Sequence, residues 1–173
     1  MKIPWYIHGN WKLDSAQLQT LEKNILKVGV TQEKEQVITT YHNKDKDLQY
    51  LDFLHSFYKE RVDEIAKDQF FFNTSLIYFD FWIQVYNKLS NHPIHDHFGC
   101  GDNVVISFVH FLRPVDICFE FTDERQSLVP QQQEGDLIVF PSYVTHRVKQ
   151  HDSNENRIVV AGNIKISKHI ELS

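Results

Sequence analysis

The chain has 173 residues, 18 Lys and Arg against 23 Asp and Glu for a formal net charge of −5, and 42% hydrophobic with 24% charged residues. That size and balance suit one globular domain over 1–173 with a real core, and they argue against a nucleic-acid backbone as the main partner, since such binders are basic. Two cysteines, Cys100 and Cys118, are too few for a disulfide framework; no run is apolar enough to span a bilayer, and Met1-Lys-Ile-Pro-Trp-Tyr6 lacks the apolar stretch of a secretory signal, so the expected setting is reducing and cytoplasmic.

Asp14 and Ser15 stand ahead of Leu18, Leu21, Ile25 and Val28, a capped amphipathic helix that Gly29 ends. Residues 37–41 read as a short strand. A second helix is expected over about 45–67, with Leu48, Leu51, Phe57 (or Tyr58), Val62 and Ile65 spaced for one buried face. From about residue 70 the helical period disappears. Short β-rich runs follow at 75–86, 103–112, 116–121, 136–140, 144–149 and 157–166, punctuated by Gly, Pro and Asn. Thirteen Phe and only six Gly point to a sheet core of aromatic and β-branched residues. The expected class is α+β, mainly β: a jelly-roll or cupin-like barrel over about 70–167, with an N-terminal helical part over about 1–69 buttressing one sheet.

Of ten histidines, His8, His42, His55, His151 and His169 sit in polar contexts and read as surface residues. The informative ones lie in Asn91-His-Pro-Ile-His-Asp-His97. Side chains alternate along a strand, so His95 and His97 on one strand share a face and Asp96 takes the other. His92 is a rival ligand at a less suitable spacing. Downstream, Gly135-Asp136 marks a tight turn, Leu137 to Phe140 a buried run, and His146 falls on a strand flanked by Val144 and Val148. A third imidazole there can close a three-point grip on a metal and leave coordination positions open, the arrangement suited to iron(II) oxygen chemistry. Arg157 follows the polar turn His151-Asp-Ser-Asn-Glu-Asn156. If that turn closes a hairpin, Arg157 starts a strand antiparallel to the one carrying His146. A guanidinium facing a buried cavity is costly unless paired, and a dicarboxylate supplies a two-pronged partner. Phe108, Phe111, Phe119 and Phe140 are candidates for dry cavity walls. Asp123, Glu124 and Arg125 read as a solvated turn. No phosphate-cradling or dinucleotide motif and no nucleophile triad stands out.

These motifs, in this order, resemble the iron(II)/2-oxoglutarate-dependent oxygenases, and particularly their small bacterial and phage branch related to prolyl hydroxylases. The resemblance runs from Phe81-Trp-Ile-Gln-Val-Tyr86 through His95-Asp-His97, Ile106-Ser-Phe-Val-His-Phe-Leu-Arg-Pro114 and Phe119-Glu-Phe-Thr-Asp-Glu-Arg125. It continues over the Gly135 to Val148 element and Arg157-Ile158 through Asn163. It implies a double-stranded β-helix in which His95, His97 and His146 hold Fe(II) and Arg157 binds the distal carboxylate of 2-oxoglutarate. The implied reaction consumes O2, converts 2-oxoglutarate to succinate and carbon dioxide, and hydroxylates a small-molecule or peptide substrate, with peptidyl proline leading. The chain departs from the family with His97 in place of a carboxylate, Phe108 in place of Gly, His110 in place of Tyr, and Val159 where a Ser often stands. Two further readings remain open. A cupin-type metal enzyme would use His95, His97 and His146 with Asp102 and need neither 2-oxoglutarate nor Arg157. A non-catalytic jelly-roll interaction or structural domain would keep the histidines as core filler or a structural zinc site.

Overall fold

The computed structural model describes residues 4–43, 52–70, 77–98, 103–123 and 125–166. Helix α1 spans Ser15–Val28. Its start is fixed by a reciprocal capping box: the Gln17 amide donates to Asp14 Oδ1 at 2.8 Å, and the Asp14 amide donates to Gln17 Oε1 at 3.1 Å. At the other end the Gly29 amide donates to Ile25 O at 2.7 Å. Leu18, Leu21 and Ile25 are the buried stripe, as their spacing requires. Helix α2 spans Asp52–Phe70 and buries Leu54, Tyr58, Val62 and Ile65. Tyr58, not Phe57, is the enclosed aromatic of this face; Leu48 and Leu51, expected on the same helix, lie outside the described residues.

In chain order the strands are β1 (Tyr6–Asn10), β2 (Val30–Gln32), β3 (Val37–Thr39), β4 (Ile77–Tyr86), β5 (His92–His95) and β6 (Val104–Arg113). They continue with β7 (Phe119–Thr122), β8 (Ser127–Leu128), β9 (Asp136–Pro141), β10 (His146–Val148) and β11 (Arg157–Ile166). A seven-stranded sheet runs β1-β9-β6-β11-β4-β3-β2, and a four-stranded sheet runs β5-β10-β7-β8. Every pairing is antiparallel. The result is the double-stranded β-helix expected from the sequence. Two expectations are corrected. β1 precedes both helices and closes the edge of the large sheet against β9, so helices do not simply come first. β10 and β11 form no hairpin: β10 pairs with β5 and β7, and β11 pairs with β4 and β6 in the opposite sheet.

Alternation on β11 separates two cores. Ile158, Val160 and Ile164 face the helices with Leu21, Ile25, Tyr58 and Ile65. Val159 and Ala161 face the small sheet with Phe111, Phe119, Phe121 and Phe140. Each such fully buried aliphatic side chain contributes roughly 1.5–3 kcal/mol from removal of apolar area from water. Phe108 belongs to the helix side, stacked on Tyr58 with ring centroids 5.5 Å apart, so it is not a wall of the space between the sheets. Its cross-strand partner is Gly162, where a Cβ would stand 2.3 Å from Phe108 Cζ. A glycine here is a packing requirement of the phenylalanine opposite. His110 lies on the same side, accepting from Tyr58 Oη at 2.7 Å and donating from Nε2 to Trp11 O at 2.8 Å.

His151, expected at the surface, is fully buried, with Nε2 2.7 Å from Glu155 O and Nδ1 2.7 Å from Asp116 Oδ2. One oxygen from its own polar turn, Glu155 O, and one from distant Asp116 let it be enclosed. Among the described residues no helix is long and apolar enough to cross a membrane.

Candidate metal centre

His95 ends β5 and His146 begins β10, and the two are direct cross-strand partners. Their ring centroids lie 4.3 Å apart. His97 was expected on the same strand as His95, but β5 stops at His95. The chain turns there, held by the His97 amide donating to Ser142 O at 2.9 Å. The His97 ring still arrives 5.4 Å from that of His95 and 5.2 Å from that of His146. One ring nitrogen from each of the three lies within 4.8 Å of the others, close enough to share one ion.

The tautomers follow from the partners. His95 Nδ1 is 2.8 Å from Pro93 O, and His146 Nδ1 is 2.9 Å from Val144 O. His97 Nδ1 is 2.6 Å from Asn163 Oδ1 and 2.9 Å from Ser107 Oγ. Carbonyl oxygens only accept, so each Nδ1 carries the proton and each Nε2 keeps its lone pair. All three imidazoles are held below their ordinary pKa, burial being the leading cause and, for His146, the neighbouring imidazoles the next. Neutral rings with converging lone pairs suit a metal ion, and a proton would be disfavoured there.

His92 packs on His95 with ring centroids 4.4 Å apart, but the three-nitrogen cluster does not include it. Its Nδ1 is buried without a hydrogen-bond partner among the described residues, and burial followed by the charges of His95 and His97 lowers its pKa to about 4. Asp96 is exposed at the rim, where Oδ1 accepts from the Phe98 amide at 3.0 Å. Asp102 of the cupin reading and Cys100 lie outside the described residues.

A cavity of about 210 Å³ opens between the sheets, lined among others by the three histidines, Trp82, Gln84, Phe119 and Arg157. Arg157 heads β11 opposite Tyr86 and is 0% exposed. Its guanidinium lies 5.0 Å from the Tyr86 ring centroid and 5.5 Å from that of Phe111. Nε, Nη1 and Nη2 are all buried with no hydrogen-bond partner among the described residues. Ring faces offset part of the cost of such a cation but leave its donors unmet. Asn163 and Ser107 were not singled out as site residues. Strand parity carried the signal, since Arg157, Val159, Ala161 and Asn163 alternate onto one inward face of β11.

Residues 110–163 match the family model described as 2OG-Fe(II) oxygenase, a stretch containing His146 and Arg157. No curated protein matches the sequence. The chain is similar in structure to a Pseudomonas putida prolyl-4-hydroxylase, with a TM-score of 0.69 and 15% identity over 95% of this chain and 94% of that one. A Trichoplax adhaerens prolyl hydroxylase, solved with a hypoxia inducible factor oxygen degradation domain peptide fragment, gives a TM-score of 0.66 at 12% identity, covering 94% and 83%. The epimerase SnoN, in complex with Fe3+, alpha ketoglutarate and nogalamycin RO, gives 0.61 at 10% identity, covering 89% and 76%. The matched segment and the shared double-stranded β-helix make the chain similar to the 2OG-Fe(II) oxygenases: the segment in sequence over 110–163, and the whole described fold in architecture.

Proposed function

We propose that the protein is an Fe(II)- and 2-oxoglutarate-dependent dioxygenase that hydroxylates a small-molecule or peptide substrate, with His95, His97 and His146 as metal ligands and Arg157 as the partner of the cosubstrate's distal carboxylate. The observation that carries this reading is the buried, unpartnered guanidinium in the cavity that also receives three imidazole lone pairs. Three protein nitrogens would hold the ion, and so small a protein ligand set would leave it accessible to cosubstrate. Bound there, iron and 2-oxoglutarate supply the oxidising chemistry: O2 is consumed, 2-oxoglutarate becomes succinate and carbon dioxide, and one oxygen atom enters a substrate C–H bond.

The chain's own groups bind, orient and shield. The Nδ1 hydrogen bonds aim the three Nε2 atoms. Arg157 gains the two-pronged carboxylate pairing that its surroundings withhold. Trp82, Phe119 and Val159 make the cavity walls between those ends apolar and keep water out. A metal enzyme without a dicarboxylate cosubstrate leaves the enclosed Arg157 without a purpose, which favours the oxygenase over the cupin reading. A peptidyl substrate is supported by the prolyl hydroxylase fold and by the peptide held in the Trichoplax structure.

The test is succinate release from 2-oxoglutarate with Fe(II) and ascorbate. Wild type is expected to turn over slowly without substrate, His146→Ala to lose this turnover, and Arg157→Ala to retain it only at raised 2-oxoglutarate. Equal turnover by all three proteins would overturn the assignment.

A further inference from the structure

We infer that Asn163 and Ser107 form a positioning pair that fixes His97 as the third arm of the metal centre, an inference resting on the metal reading above. His95 and His146 need no such help. They face each other in strand register, and each bonds a backbone carbonyl two residues earlier in its own segment, Pro93 O and Val144 O. His97 lies beyond β5 and has neither device. Its Nδ1 is met instead by side chains from the opposite sheet.

Those side chains are themselves locked. Asn163 on β11 and Ser107 on β6 are direct cross-strand partners, 7% and 0% exposed. Ser107 Oγ donates to Asn163 Oδ1 at 3.0 Å, while Asn163 Oδ1 lies 2.6 Å from His97 Nδ1. With Asn163 Oδ1 turned toward the ring and toward Ser107, one proton arrangement satisfies all three contacts. With the hydroxyl proton committed to Asn163, His97 Nδ1–H must donate to Asn163 Oδ1, and Ser107 Oγ can share that proton at 2.9 Å. The opposite tautomer would set a ring lone pair against the amide oxygen. The pair therefore dictates that His97 presents Nε2 to the cavity. The same strand carries Arg157, so β11 fixes one arm of the metal centre through Asn163 and the proposed carboxylate anchor directly.

Loss of a hydrogen-bond partner behind a metal-binding histidine costs about 10–100-fold in metal affinity. The test is Co(II) titration of the whole protein, followed by its visible absorption band, with thermal melting run in parallel. Asn163→Leu is expected to bind Co(II) about 10–100-fold more weakly. Asn163→Asp, which keeps an acceptor and adds charge behind the ring, should bind at least as tightly as wild type. Ser107→Ala is a milder second variant and should lose less than Asn163→Leu. A merely structural role is separated by repeating Asn163→Leu in a His97→Ala background, where the substitution should cause no further loss. Wild-type affinity in Asn163→Leu, or the same fold-loss with and without His97, overturns the positioning role. A wild-type protein that binds no Co(II) overturns the metal reading and this inference with it.

Discussion

The two sheets meet around one cavity but are built differently. In the large sheet, β6 and β11 are 10 residues long, paired on both sides and buried on both faces. In the small sheet, β5 and β10 are 4 and 3 residues long. The small sheet orients His95 and His146 by hydrogen bonds inside their own short segments, so little surrounding structure is needed. The large sheet does what a short strand could not: it encloses Arg157 with no hydrogen-bond partner among the described residues, and two apolar cores on its faces offset a cost of several kcal/mol. Local bonds suffice to aim a ring, whereas confining a charge draws on the stability of the whole domain.

Replacing the cation should break this contrast most sharply. Arg157→Met is expected to stabilise the unliganded protein by about 1–4 kcal/mol or more, the lower bound being what replacing a buried ion pair with apolar side chains gives. The same change should abolish the rise in urea midpoint expected when 2-oxoglutarate is added to wild type. Urea denaturation with and without 2-oxoglutarate checks both, and a destabilised variant would mean that Arg157 is paired in solution. On the other face of the same strand, Gly162→Ala should cost about 1–3 kcal/mol by overpacking. The new Cβ would stand 2.3 Å from Phe108 Cζ and 2.7 Å from Asp80 O. Adding Phe108→Leu should recover part of that loss in the same assay, since the side chain can yield and the backbone oxygen cannot.

The small sheet should respond to pH instead. The folded pKa of His92 is lowered from 6.5 to about 4, and His95, His97 and His146 are lowered as well. As pH falls below 6.5 the unfolded chain takes up protons first, so the contribution of these histidines is complete above that value and is lost as pH falls, for His92 over the window down to about 4. His110, also lowered to about 4, adds to the same window from the helix side. The urea midpoint of the metal-free protein should decline between pH 6.5 and 5, where most carboxylates stay charged. His92→Phe should flatten part of that decline, and a midpoint constant over this range would contradict the shifts.

Local signals were legible in the sequence wherever local physics decides. Asp14, Gln17 and Gly29 bound α1 through contacts a few residues apart, and the unbroken apolar runs of β9 and β11 report burial on both faces directly. What escaped depends on distant partners. β1 is a strand because β9 lies beside it, and nothing in Tyr6 to Asn10 announces that. His151 looks solvated until Asp116 and Glu155 are seen to meet its ring. His97 shows that the right residue can be found for an incomplete reason. Two-residue periodicity predicted a shared face with His95, yet the strand ends first and Ser142, Ser107 and Asn163 complete the placement. Arg157 was expected to face the strand of His146 as a hairpin neighbour, whereas it reaches the same cavity from the other sheet.

The sealed cation also bears on how long the protein survives in a cell. Without a dicarboxylate, every opening of the barrel lets Arg157 regain water, which favours the opened form; with one bound, opening must first give up the ligand. At a hundred times its dissociation constant such a ligand adds about 2.7 kcal/mol. That leaves roughly a hundredfold fewer opened molecules within reach of a protease. If Arg157 anchors the cosubstrate as proposed, scarcity of that dicarboxylate would shorten the protein's half-life, tying its abundance to supply.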